Sequence, residues 1–396
     1  MKPRQLSSSS RGPFIQRAAL ALLLLFSATS DAISSNTVAV IVNDGLEPLI
    51  GMRLADFVED LEREGYSADV RTWHLAGSTP AMLRSHLQAL RPGLVGAVLI
   101  GDMPIANFEH YNDHATGSYA CFPCDLYYMD LDSTWSDNDG NVVFDAVSPD
   151  PCPEIWVSRM TASTFTLIAE SDLVNNHLRK NRLYRHGGRP MAQRGLTFID
   201  NDWSGNAQQY NALDAVYAVR TRIYKKTLST VTEYMNQLRA NYEWIHVAAH
   251  SSPTAHTFDG VGRVGNTNIY AADPVSAFSE FFACKVALFT ERNYMAGCYA
   301  FSAHNGVNVM AATKIGSMMD WNGFYGPIAS GRTVGDSFRL WFQTHSLPSA
   351  YNIAWYYGQA MLGDGTLKIG RFNLSAVVPS VRAAIVEIGV LMVQYT

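Results

Sequence analysis

Val38-Ala39-Val40-Ile41-Val42 and, past two amphipathic stretches, Val95-Gly96-Ala97-Val98-Leu99-Ile100 closed by Gly101-Asp102 decide the fold class of this chain. Each is a short unbroken apolar run, the pattern of a strand buried on both faces. Between them, Leu49 to Arg63 carries apolar residues three and four apart, which predicts a helix, and Ala68 to Trp73 reads as a strand. Ser78 opens a second helix with Thr79-Pro80 in its first turn. Strand, helix, strand, helix, strand is the order of a parallel sheet.

Outward from this core, Glu154 to Val157 predicts another strand and Phe165 to Tyr184 a long helix, which ends in the basic, Gly-closed stretch 179–188. The rhythm then restarts. Leu196 to Ile199 is a predicted strand, Ala207 to Val219 and Ser229 to Tyr242 predicted helices, and Trp244 to Ala249 a strand. Phe278 to Ala283, Ala287 to Phe289 and Val309 to Thr313 add strand-like runs, and Val334 to Gln343 a helix. The expected architecture is α/β: two adjacent halves, residues 37–185 and 190–370, with mostly parallel sheets and flanking helices, either side by side or sharing one sheet, followed by a tail at 371–396.

Composition supports a packed globular chain and removes several function classes. Of 396 residues, 47% are hydrophobic and 16% charged, which is too apolar for disorder. Thirty Lys and Arg against 35 Asp and Glu give a net charge of −5, and no basic stretch alternates with aromatics, so a nucleic-acid partner is not expected. Lys2, Arg4, Arg11 and Arg17 precede the apolar run Ala18 to Ala28, and Ser30-Asp31-Ala32 follows, so residues 1–32 read as a secretory signal peptide. The run is too short for a stable membrane span, which needs about 20 residues. Removal of that segment takes four basic residues and Asp31 with it and moves the net charge from −5 to −8. The mature protein is expected to be secreted and acidic.

Five cysteines, Cys121, Cys124, Cys152, Cys284 and Cys298, leave at least one thiol unpaired in an oxidising compartment. A disulfide from Cys121 or Cys124 to Cys152 is expected, and Cys298 is expected to pack in a core or pair. In open α/β sheets, ligands sit beyond the carboxyl ends of the strands, so polar residues just after apolar runs carry the information. Trp244 to Ala249 runs into His250-Ser251-Ser252-Pro253, Ser279 to Ala283 runs into Cys284, and Glu154 opens Glu154-Ile155-Trp156-Val157-Ser158-Arg159-Met160. A thiol needs a base or a positive setting to act as a nucleophile, and His250 at the end of a neighbouring strand meets that need. His256 is the rival base. A metal-dependent hydrolase on His246, His250 and His256 is disfavoured, because a spacing of four in a strand does not make a helical ligand pair.

On these residues the chain resembles the gingipain-like cysteine peptidases, within the wider group that holds caspases and legumain. That group sets its histidine and cysteine after successive strands as His-Gly and Ala-Cys. Here the pairs are His250-Ser251 and Ala283-Cys284, with dyad residues 34 apart. Gly101-Asp102-Met103-Pro104, Asp125-Leu126-Tyr127-Tyr128-Met129-Asp130, Pro153 to Arg159, Gly316-Ser317-Met318-Met319 and Leu362 to Leu367 are similar to segments of the same family, with Gly365 where the family has proline.

The resemblance implies a caspase-like fold and a secreted cysteine endopeptidase acting on protein or peptide substrates without a catalytic cofactor. Cys284 would be nucleophile, His250 general acid and base, and Glu154 the acidic residue assisting it. The backbone N–H groups of Cys284 and Ser251 would hold the oxyanion. Ser251 replaces the family's glycine and tolerates fewer backbone conformations, so the oxyanion hole is expected to be altered. That departure motivates the alternative, a catalytically impaired secreted binding or surface protein. Asp130, Asp132, Asp137, Asp139 and Asp145 crowd one loop, expected either as a structural calcium site, as gingipains have, or as a solvated acidic turn.

Overall fold

The computed structural model describes residues 36–258 and 262–370, so the signal-peptide reading of 1–32 and the tail 371–396 lie outside the described residues. The first half contributes β1 (Thr37–Asn43), β2 (Ser67–Trp73), β3 (Leu94–Ile100) and β4 (Trp156–Met160). The second contributes β5 (Arg194–Ile199), β6 (Val219–Ile223), β7 (Tyr242–Ala248), β8 (Ser276–Phe282) and β9 (Asn308–Ala312), and β10 (Gln359–Gly363) closes the order. All ten form one sheet, ordered β6-β5-β7-β8-β9-β10-β4-β3-β1-β2. The two halves therefore share a sheet, with β10 inserted between them. β10 runs antiparallel to β9, while β1 to β4 pair in parallel with one another, as do β5 to β9.

Flanking helices bury the sheet. Glu47–Arg63 packs against Glu170–Arg185, and Trp321–Ala329 against Val334–His345. The helix Pro80–Ala89 begins as its sequence predicts, with Thr79 Oγ1 accepting from Met82 N–H at 3.3 Å and Pro80 in the first turn. Trp156 fixes the spacing around β4. A Cβ on Gly96 would stand 2.0 Å from its indole and one on Gly365 2.5 Å, so both neighbours must be glycine for the ring to lie flat between them.

Four predicted elements differ: the helix expected over Ser229 to Tyr242 spans only Val231–Leu238, with Tyr242 already in β7. Only Ala207–Tyr210 of the helix expected to Val219 is helical; turns follow, the Asp214 carboxylate pairs with Arg220 and Arg222 of the next strand, and the chain re-enters the sheet as β6. The long helix starts at Glu170 rather than Phe165. Ala287 to Phe289 is a loop, bonded through Ala287 N–H to Ala312 O at 2.9 Å.

The loops beyond the sheet are stitched across the two halves. Tyr294 Oη donates to Thr161 O at 2.8 Å, and Thr313 Oγ1 to Pro123 O at 2.7 Å. Beneath them Arg159 and Asp125, 1% and 3% exposed, form a bidentate pair at 2.7–3.0 Å, with the guanidinium also over the Phe289 ring. Two segments that resemble the gingipain-like family, around Asp125 and Arg159, are thus joined by one buried ion pair. Removal of one partner leaves an uncompensated buried charge. Asp125→Ala is expected to destabilise the fold by about 3–5 kcal/mol in urea unfolding; a loss below about 1 kcal/mol would show that the pair is not structural.

Candidate active site

β7 and β8 lie side by side in parallel with Ala248 opposite Phe282, an offset of 34 residues. Carried two residues past both strands, that offset sets His250 opposite Cys284. The two sequence-predicted residues thus each follow the end of one of two adjacent, in-register strands, two residues beyond the last pair. Ala249 N–H donates to Phe282 O at 3.2 Å, holding the two chain ends together just before they diverge.

His250 then enters a small hairpin of His250–Ser252 and Ala255–Phe258 around the turn Pro253-Thr254. Its Nε2 lies 2.7 Å from Asp202 Oδ2, with both side chains about half exposed (51% and 45%). The imidazole rests 4.6 Å from the Trp203 ring, which in turn meets Phe282 edge-on at 5.4 Å. Asp202 and Trp203 come from the short 3-10 turn Asn201–Trp203 directly after β5, so three neighbouring strand ends build the histidine's setting.

Cys284 is partly buried. The backbone beside it is fixed by Lys285 N–H donating to Lys314 O at 2.8 Å. Lys314 is buried, with Nζ donating to Asp113 Oδ1 at 2.7 Å and to Ala354 O at 2.5 Å. Burial pulls its ammonium below the usual lysine value, and Asp113 opposes that, with Cys284 a smaller contributor in the same direction. Among the described residues, the thiol makes no hydrogen bond to His250. Such bonds are often long before substrate binds.

Glu154 is placed differently from its expected role. Its Oε2 accepts from Leu131 N–H at 2.6 Å, its oxygens lie near those of Asp130 and Asp132, and burial holds its carboxyl above the ordinary range. The carboxylate hydrogen-bonded to His250 is Asp202, which sequence reasoning missed; its only signal was an acidic residue just past an apolar run. Ser251 lies in the hairpin with a φ outside the left-handed region, so its position does not demand glycine. Ser252 and Ala255 flank the two-residue turn, and alternation of antiparallel pairs leaves the Ser251 N–H outside the ladder.

The three histidines of the metal-hydrolase reading have separate partners. His246 is fully buried, with Nδ1 2.6 Å from Glu280 Oε2 and Nε2 2.9 Å from Gln209 Oε1. His256 is fully buried, and burial lowers its imidazole to about 3, so it is neutral and closed off from solvent. The five aspartates also separate. Asp139 and Asp145 join Glu109 in one carboxylate group, Asp130 and Asp132 join Glu154 in another, and Asp137 accepts backbone N–H groups of Gly140, Asn141 and Val142. A single five-aspartate site is not formed.

All five cysteines are free, against the disulfide expected to Cys152. Cys124 is buried close to Lys314, whereas Cys152 sits beside Ser346, in different surroundings.

No protein-family model matches this chain, and no curated protein matches it. Solved structures do match. The Arg-specific cysteine proteinase gingipain R (RgpB) is similar with a TM-score of 0.58 at 14% identity, over 85% of this chain and 78% of that one. The complex of Porphyromonas gingivalis RgpB pro- and mature domains matches with a TM-score of 0.58 at 13% identity, over 84% of this chain and 79% of that one. The chain thus has the fold of gingipain-like and caspase-like α/β proteins, a cysteine-peptidase-like fold. No helix among the described residues is long and apolar enough to cross a membrane.

The thiols should sort by burial. Cys124 and Cys298 are buried, which pushes both thiols up, Cys298 to about 12. In native protein at neutral pH, iodoacetamide is expected to modify Cys284 while leaving these two intact until denaturation, as read by peptide mass spectrometry. Equal native labelling of Cys298 and Cys284 would contradict this placement.

Proposed function

We propose that this protein is a secreted cysteine endopeptidase that uses Cys284 and His250, with Asp202 rather than Glu154 orienting the histidine. The observation that carries the reading is the β7–β8 register, which sets these two residues at adjacent strand ends, with a carboxylate 2.7 Å from the imidazole. His250 takes the Cys284 thiol proton as the sulfur attacks the peptide carbonyl, and the N–H groups of Cys284 and Ser251 take up the charge that develops on oxygen. His250 gives its proton to the departing amine, leaving a thioester. Water, deprotonated by His250, then releases the acid and restores the thiol. Asp202 holds the ring in one orientation and stabilises its cation. The reaction balances with substrate and water alone. Residues 1–32 serve as the export signal.

Cys284→Ala is expected to abolish turnover and labelling by a peptide-based thiol-reactive probe with the fold intact. Asp202→Ala should lower kcat by roughly ten- to a hundredfold, less than removal of the base, which is worth about 10²–10⁴. Unchanged turnover in Cys284→Ala would overturn the reading, and parent protein that neither reacts nor turns over would instead be a binding protein of this fold.

A structural calcium belongs to the same proposal. Glu109, Asp139 and Asp145 bring three carboxylates within 4.8 Å of one another, and desolvation together with the charges of Glu109 and Asp137 holds Asp139 above the usual carboxylate value. Such a hard-oxygen set suits Ca²⁺ in a purely structural role. Millimolar calcium should raise the Tm of chelator-treated protein by several degrees, because a ligand of the folded state alone stabilises it. A Tm that does not move would make the loop a solvated turn.

A further inference from the structure

Ser251 and His256 face each other across the hairpin, and their side chains touch. His256 Nδ1 lies 2.7 Å from Ser251 Oγ, and Ser251 Oγ lies 3.3 Å from Ala249 O. The imidazole is fully buried, neutral, and stacked on Phe281 of β8 at 5.4 Å and 25°. Among the described residues its Nε2 has no hydrogen-bond partner. A neutral ring carries one proton, and an unpaired buried donor is the more expensive defect when the neighbours are aromatic. The proton therefore belongs on Nδ1. It is donated to Ser251 Oγ, whose own proton goes to Ala249 O, so every hydrogen of the chain is used.

This relay closes a loop around the residues that matter. It ties Ala249 to Ser251 with His250 between them, and Ala249 N–H reaches Phe282 O at 3.2 Å, two residues before Cys284. Resting on the peptidase reading above, we infer that His256 is a positioning residue: its buried imidazole, acting through the Ser251 hydroxyl, fixes the His250 ring and the Ser251 N–H against Cys284. The serine that replaces glycine is then one member of a built-in clamp, and its hydroxyl has a function that glycine could not supply.

The test uses purified full-length protein and a peptide substrate cleaved by the parent. Ser251→Ala keeps the N–H and removes the relay; His256→Phe keeps a ring on Phe281 and removes the donor. Each is expected to lower kcat at least about tenfold with KM little changed, because a small misplacement of reacting groups acts on the transition state. The double variant should be no slower than either single, since both break one chain. His256→Asn, whose amide nitrogen occupies the place of Nδ1, should recover much of the loss, a rescue that a merely structural role would not produce. If His256→Phe fails to fold, Ser251→Ala and His256→Asn still decide the matter. Parental kcat in Ser251→Ala, or multiplicative losses in the double variant, overturns the clamp while leaving the peptidase reading in place. A parent without Cys284-dependent turnover overturns that reading and the clamp together.

Discussion

The parallel register of β7 on β8 is the constraint on which the candidate site depends. An offset of one residue would turn the side chains after one strand to the opposite face of the sheet and part His250 from Cys284. The register is held from within by groups that cannot slip cheaply. His246 and Glu280 are themselves register partners, fully buried, with Nδ1 2.6 Å from Oε2, and a shift would part these two polar groups inside an apolar interior. The buried polar pair lies four residues behind His250 and Cys284 and keeps the two strand ends in step.

Around that axis the site is assembled from strand ends rather than from one motif. Asp202 and Trp203 arrive after β5, His250 after β7, Cys284 after β8, and Lys314 after β9. Rigid strands fix where each segment leaves the sheet, and short hydrogen bonds such as Lys285 N–H to Lys314 O fix its direction. The same economy explains why the site sits between aromatic rings: Phe282 at the end of β8 meets Trp203 on one side and Trp321 and Trp355 on the other. His250 and Asp202, each about half exposed, lie at the rim of this aromatic group.

What was legible in the sequence follows from what burial does to a pattern. Val38 to Val42, Val95 to Ile100 and Trp244 to Ala249 are apolar because they lie inside a sheet covered on both faces, and they announce themselves. β6, Val-Arg-Thr-Arg-Ile at an edge, alternates charged and apolar residues weakly and follows a stretch with helical spacing, so it was hidden. His250 and Cys284 were readable because each directly follows a buried run. Asp202 was not: it lies 48 residues from His250, and only the order β5-β7 brings them together. Glu154 shows the converse, an acidic residue in a segment that resembles the gingipain-like family but whose carboxylate accepts from Leu131 N–H. The Ser251–His256 contact needed the hairpin, because five residues of spacing say nothing until Pro253-Thr254 turns the chain back.

The place of β10 has a consequence for how this protein comes into being. β4 and β9 are the inner margins of the two halves, and the strand that lies between them is residues 359–363, nearly the last part of the described chain. Until those residues leave the ribosome, both margins present unpaired backbone groups, an invitation to wrong partners. Closing the sheet then requires contacts between segments about 200 residues apart, which makes it intrinsically slow. Until β10 is in place, β4 and β9 stay open, so a chain lacking 359–363 would present two exposed sheet margins instead of a shorter version of the same fold.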